Sequence, residues 1–122
     1  MDTLRISLIQ TNLIWEDKQS NLKNFEEKIA SIQDPTNIVV LPEMFSTGFS
    51  MHPEKLAETM DGETVDWMKE IASKKNIILT GSIIIKEDDQ FFNRLLWVLP
   101  NGQVGQYNKR HCFSLAGEDQ HY

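Results

Sequence analysis

Apolar positions along this chain alternate between short runs and helical stripes. Leu4 to Ile9 (LRISLI) is short, apolar and bounded by the polar Gln10-Thr11-Asn12, which predicts a first strand buried within the fold and central in its sheet. Leu22, Phe25, Ile29 and Ile32 then recur at helical spacing while Glu26, Glu27 and Lys28 take the other face, so an amphipathic helix is predicted, with Pro35 as a stop. Ile38 to Leu41 predicts a second buried strand ended by Pro42. After it, Glu43 to Pro53 (EMFSTGFSMHP) reads as a long loop with two aromatics, a kind of segment that often carries function.

Asp61-Gly62-Glu63-Thr64 opens a second predicted helix. Val65, Met68, Ile71 and Ala72 form its apolar stripe, and Lys74 and Lys75 suit the negative end of its dipole. Asn76 to Ile85 is apolar around Thr80-Gly81-Ser82 without clean alternation, which predicts a strand buried on both faces. Two hairpins follow. The polar turn Lys86 to Gln90 leads into Phe91 to Leu99, and Asn101-Gly102 leads into Val104 to Tyr107. The sheet is therefore expected to be mixed. About five strands with only two helices leave one sheet face without cover, so the expected architecture is two sheets packed between helix layers, the second supplied by further chain or by another subunit.

Composition narrows the function. With 40% hydrophobic and 25% charged residues the 122-residue chain has the composition of one globular domain. A net charge of −6 disfavours nucleic acid and anionic membrane surfaces as partners. The N-terminus has no secretory pattern and no apolar run long enough to span a bilayer, so a cytoplasmic location is expected. The one cysteine, Cys112, excludes an internal disulfide and fits a reducing compartment.

Two strand ends carry candidate chemistry. Glu43 follows the end of the Ile38 to Leu41 strand, and Lys109 follows the Val104 to Tyr107 strand; taken alone, each is more often a solvated surface charge than a reacting group. Together, Val39-Val40-Leu41-Pro42-Glu43-Met44-Phe45 and the run Tyr107, Lys109, His111, Phe113 resemble, in order, the catalytic-glutamate and catalytic-lysine motifs of the nitrilase or carbon–nitrogen hydrolase superfamily. The PEMFSTGF loop and the KRHCFSLAGEDQHY tail look most like its bacterial omega-amidase branch, whose substrates are the terminal amides of short 2-oxo acids.

The resemblance implies an α/β fold, the mixed-sheet half of a four-layer α-β-β-α sandwich, with residues 1–122 as the N-terminal portion of a single domain. It implies Glu43 as general base and Lys109 as oxyanion stabiliser. A second acid that orients the lysine would be Glu118, with Asp119 as the neighbouring alternative. Phe45, Phe49 and Phe113 are candidates to line an apolar substrate pocket, or plain core. The implied partners are a small-molecule amide and further copies of the chain, bound through sheet or helix faces; no cofactor and no metal are implied.

One element of the family pattern is missing. The nucleophilic cysteine there follows the lysine on a later strand, in a Cys-Tyr-Asp-Leu-Arg-Phe-Pro-like elbow, and no such elbow occurs in these residues. Cys112, three residues past Lys109 where relatives usually carry leucine, reads as a small buried hydrophobe. The expectation is thus a chain truncated before its nucleophile and inactive alone. The alternative is a noncatalytic fragment or relative that binds a partner subunit through its uncovered sheet face. A receiver domain is disfavoured by Gln10-Thr11-Asn12 where an acidic pair should stand, and a metal hydrolase by the lack of ligand spacing among His52, His111 and His121.

Overall fold

A computed structural model of the chain describes residues 3–110 and 118–122. Among these the element order is β1 (Ile6–Leu8), α1 (Lys18–Ala30), β2 (Ile38–Val40), α2 (Pro53–Leu56), α3 (Glu63–Lys75), β3 (Ile78–Glu87), β4 (Gln90–Val98), β5 (Val104–Asn108) and a 3₁₀ turn, Glu118–Gln120. The strands form one sheet in the order β1-β2-β3-β4-β5. β1, β2 and β3 run parallel, and β3, β4 and β5 are antiparallel, so the sheet is mixed as expected. No helix among the described residues is long and apolar enough to cross a membrane.

Both long helices bury the stripes read from the sequence, except that Ile32 falls past the end of α1 and is partly buried against the core. In α1, Asp17 caps the N-terminus by accepting from the Ser20 amide, and Leu22, Phe25 and Ile29 are buried. In α3, Val65, Met68, Ile71 and Ala72 are buried, and Asn76 closes the helix in the left-handed conformation (φ 54°). These stripes meet Val39, Leu41, Leu79, Ile83, Ile85, Leu96 and Val98 in one core on one side of the sheet. The β3–β4 hairpin turns on Asp88 and Asp89, both at positive φ (52° and 61°), the handedness that matches strand twist.

Pairing places Ile6, Ile38 and Ile78 in line, and likewise Leu8, Val40 and Thr80. Thr80 pairs with Trp97, Ser82 with Leu95, and Leu95 with Tyr107. These residues share the face opposite the helices, and no described element covers it. Ile6, Leu8, Leu95, Trp97 and Tyr107 are exposed there.

Two expectations are corrected. β1 is not central: it pairs with β2 alone among the described strands and forms the sheet edge, with Leu8 76% exposed. The alternation in LRISLI accounts for the incomplete burial, because Leu4, Ile6 and Leu8 point to one side and Arg5 and Ser7 to the other, whereas the edge position follows from pairing with β2 alone among the described strands. The Glu43 to Pro53 loop also ends earlier than expected, since Pro53 opens the short helix α2 at a position that needs no amide donor.

Candidate active site

Glu43 is aimed by a sharp turn. β2 ends at Val40, the Leu41 amide still donates to Thr80 O at 2.8 Å, and two residues later Met44 takes positive φ (49°). β3 secures that strained bend: the Met44 amide donates to Ser82 Oγ (2.9 Å) and the Phe45 amide to Ser82 O (3.2 Å). Met44 and Phe45 thereby enter the core, while the Glu43 side chain stays 47% exposed. Gly81 makes room for the bend, as a Cβ there would lie 2.8 Å from Phe45 Cδ1 and 3.0 Å from Leu41 Cβ.

Lys109 follows β5 directly, and its amide donates to Asn93 O on β4 at 2.9 Å, which continues the antiparallel ladder one step past the strand. Its ammonium donates to Glu43 Oε2 at 2.9 Å and to Glu118 Oε1 at 2.9 Å. Glu118, in the 3₁₀ turn, has no solvent exposure. A buried carboxylate is tolerated when it is paired and hydrogen-bonded, and Lys109 supplies that pairing. Burial acts to lower the Lys109 pKa, but the hydrogen bonds and charges of Glu43 and Glu118 outweigh it and hold the pKa above the ordinary lysine value.

A fourth side chain joins them. Asn93 Nδ2 donates to Glu43 Oε2 at 2.6 Å and reaches Glu118 Oε2 at 3.3 Å. Sequence reasoning did not single it out, although one sign was present: an amide between Phe91-Phe92 and Leu95-Leu96 in a strand expected to pair in a hairpin.

The sequence candidates divide clearly. Glu43, Lys109 and Glu118 come together, although they are 66 and 9 residues apart along the chain. Phe49 is close by, its ring centroid 5.9 Å from Lys109 Nζ. Phe45 does not line this site; its ring is buried in the core against Phe25 and Trp67, because the bend at Met44 sends it to the helix side of the sheet. Phe113 and Cys112 lie outside the described residues, as does the side chain of Asp119.

The cluster opens into a cavity of about 280 Å³ on the uncovered sheet face, where Glu43 and Lys109 meet the apolar Val40, Leu95 and Tyr107. An ammonium, a half-exposed carboxylate and apolar walls suit a small polar molecule with a short carbon chain. Among the described residues no cluster of His, Cys, Asp and Glu could hold a metal ion.

A family model described as carbon–nitrogen hydrolase matches residues 5–122. The chain is 40% identical to omega-amidase YafV of Yersinia enterocolitica, across 100% of this chain and 47% of that protein. It is 27% identical to 2-oxoglutaramate amidase of Bacillus subtilis (strain 168), across 93% of this chain and 45% of that one. The crystal structure of XC1258 from Xanthomonas campestris, a CN-hydrolase superfamily protein, is 37% identical and superposes with a TM-score of 0.94, covering 100% of this chain and 46% of its own. The chain thus spans about half the length of the curated relatives it matches.

Proposed function

Because the chain belongs to the carbon–nitrogen hydrolase family, we propose that it carries the acid–base and oxyanion half of an amide-hydrolysing site, specific for the terminal amide of short 2-oxo acids. The observation that carries this reading is the convergence of Glu43 and Glu118 on one Lys109 ammonium beside a small, partly apolar cavity. The omega-amidase and 2-oxoglutaramate amidase relatives support the substrate class.

In this mechanism Glu43 accepts the proton of a cysteine thiol, and the thiolate attacks the amide carbonyl carbon. Lys109 stabilises the oxyanion that forms. The intermediate collapses with cleavage of the C–N bond, Glu43 returns its proton to the departing nitrogen, and ammonia leaves. A thioester remains. Glu43 then deprotonates the water that cleaves it, which frees the acid and restores the thiol. Glu118, buried and bonded to the ammonium, orients Lys109 throughout.

The nucleophile is assigned to a cysteine elbow on sequence beyond these residues, and the uncovered face of β1 to β5 to contact with a second sheet, from that same sequence or from another copy of the chain. Residues 1–122 are then the N-terminal portion of one domain. Its exposed apolar residues are what that second sheet would cover.

The test is ammonia release from a short 2-oxo-acid amide by a protein that includes the cysteine elbow. Glu43→Gln and Lys109→Ala should each lower turnover by roughly a thousandfold or more, Cys112→Ala should leave it unchanged, and residues 1–122 alone should release none. Activity in residues 1–122 that disappears with Cys112→Ala would reject this assignment.

A further inference from the structure

Three of the side chains that meet at the candidate site carry charge; the fourth, Asn93, is neutral and 2% exposed in the middle of β4. One carboxamide nitrogen serves both acids, with its contacts to Glu43 Oε2 (2.6 Å) and Glu118 Oε2 (3.3 Å). An NH₂ group has two hydrogens, and this arrangement uses one for each carboxylate. The reverse orientation would put the amide oxygen against two carboxylate oxygens, so the acids themselves select the rotamer. That selection leaves Asn93 Oδ1 buried and, among the described residues, without a hydrogen-bond partner, an arrangement that native interiors rarely retain outside functional sites. The same residue also fixes the lysine, since its backbone oxygen receives the Lys109 amide at 2.9 Å.

We propose that Asn93 is a positioning residue of the amide-hydrolysing site, an inference that rests on the function proposed above. Its two amide hydrogens hold Glu43 and Glu118 at a set spacing around the Lys109 ammonium. Glu43 Oε2 is thereby occupied by Asn93 and Lys109, which leaves Oε1 as the oxygen that exchanges protons in the cavity. Asn93 moves no proton itself. Its effect is on the geometry of the base, which chemistry feels more strongly than substrate binding does.

Asparagine and aspartate have nearly the same shape, so Asn93→Asp separates hydrogen donation from simple filling of space. In the protein that includes the cysteine elbow, Asn93→Asp and Asn93→Ala should each lower kcat by about a hundredfold and change KM by less than about threefold. In Asn93→Asp the acid limb of the kcat/KM profile should also move to higher pH, because a third carboxylate opposes ionisation of its neighbours. Near-normal kcat in a folded Asn93→Asp protein would overturn the proposal.

A second measurement needs no activity. The side-chain NH₂ protons of Asn93, followed by ¹⁵N-resolved NMR, should exchange slowly, and Glu118→Gln should speed the exchange roughly tenfold or more. Exchange as fast as that of a solvated asparagine would overturn the placement. Failure to hydrolyse any amide, with the exchange behaving as expected, would reject the function and its catalytic consequence while the hydrogen-bond placement stands.

Discussion

Lys109 is held between one half-exposed and one fully buried carboxylate, so deleting its charge removes the cation that offsets Glu118 in the interior. Lys109→Met should therefore lower stability by about 3 kcal/mol, read from urea unfolding midpoints. The same pair fixes the direction of a pH effect. A lysine pKa raised on folding stabilises the fold fully below the unfolded value of 10.5, and that contribution is lost as pH rises through the higher folded value. Stability should show no Lys109-dependent loss between pH 7 and 10, and the alkaline fall above that range should be smaller in Lys109→Met. A Lys109-dependent loss already present at pH 9 would mean that burial, which acts to lower the pKa, outweighs the two carboxylates. Glu43 and Lys109 were legible as residues because each follows a strand in a motif of its own. Asn93 was not, since its motif is only a polar interruption and its meaning lies in what it touches.

At the scale of elements, two backbone positions do more than their side chains suggest. Asn76 ends α3 in the left-handed region, which costs an ordinary residue about 1 kcal/mol and costs asparagine or glycine less. Thermal unfolding should show Asn76→Ala destabilised by about 1 kcal/mol and Asn76→Gly within a few tenths of the parent. Gly81 acts through space: it lies on β3 beneath the bend that carries Glu43. Gly81→Ala should cost about 1–3 kcal/mol, because its Cβ meets the packed ring of Phe45. It should also disturb Glu43, which the same bend aims, so a loss of turnover larger than the loss of folded protein is expected. The two long helices were readable from spacing alone, since a single buried stripe at helical period has one stable solution. The fate of β1 was less accessible: its alternation was visible, but edge or centre depends on pairing partners remote in sequence.

For the whole molecule the decisive feature is asymmetry. One side of the sheet carries the packed core, whereas the other exposes Ile6, Leu8, Leu95, Trp97 and Tyr107 around the candidate site. Such a face favours association in water. Residues 1–122 alone should self-associate at micromolar concentration and bind an apolar dye, both measured by light scattering and fluorescence. Replacing Leu8 and Trp97 together by glutamate should reduce both effects, since it charges the face without touching the helix-side core. A monodisperse monomer with little dye binding would show that the face needs no cover.

Sequence by itself determined the two long helices, the hairpins, the mixed sheet and the two strand ends that bear Glu43 and Lys109, because those depend on local spacing, turn chemistry and two short motifs. It also indicated, through the imbalance of strands over helices, that one face lacked a layer. Tertiary structure alone decided that β1 lies at the edge, that Phe45 belongs to the core and that Asn93 joins both carboxylates. Each of these rests on a contact between residues distant along the chain, and neither periodicity nor composition encodes which distant partner a side chain will meet.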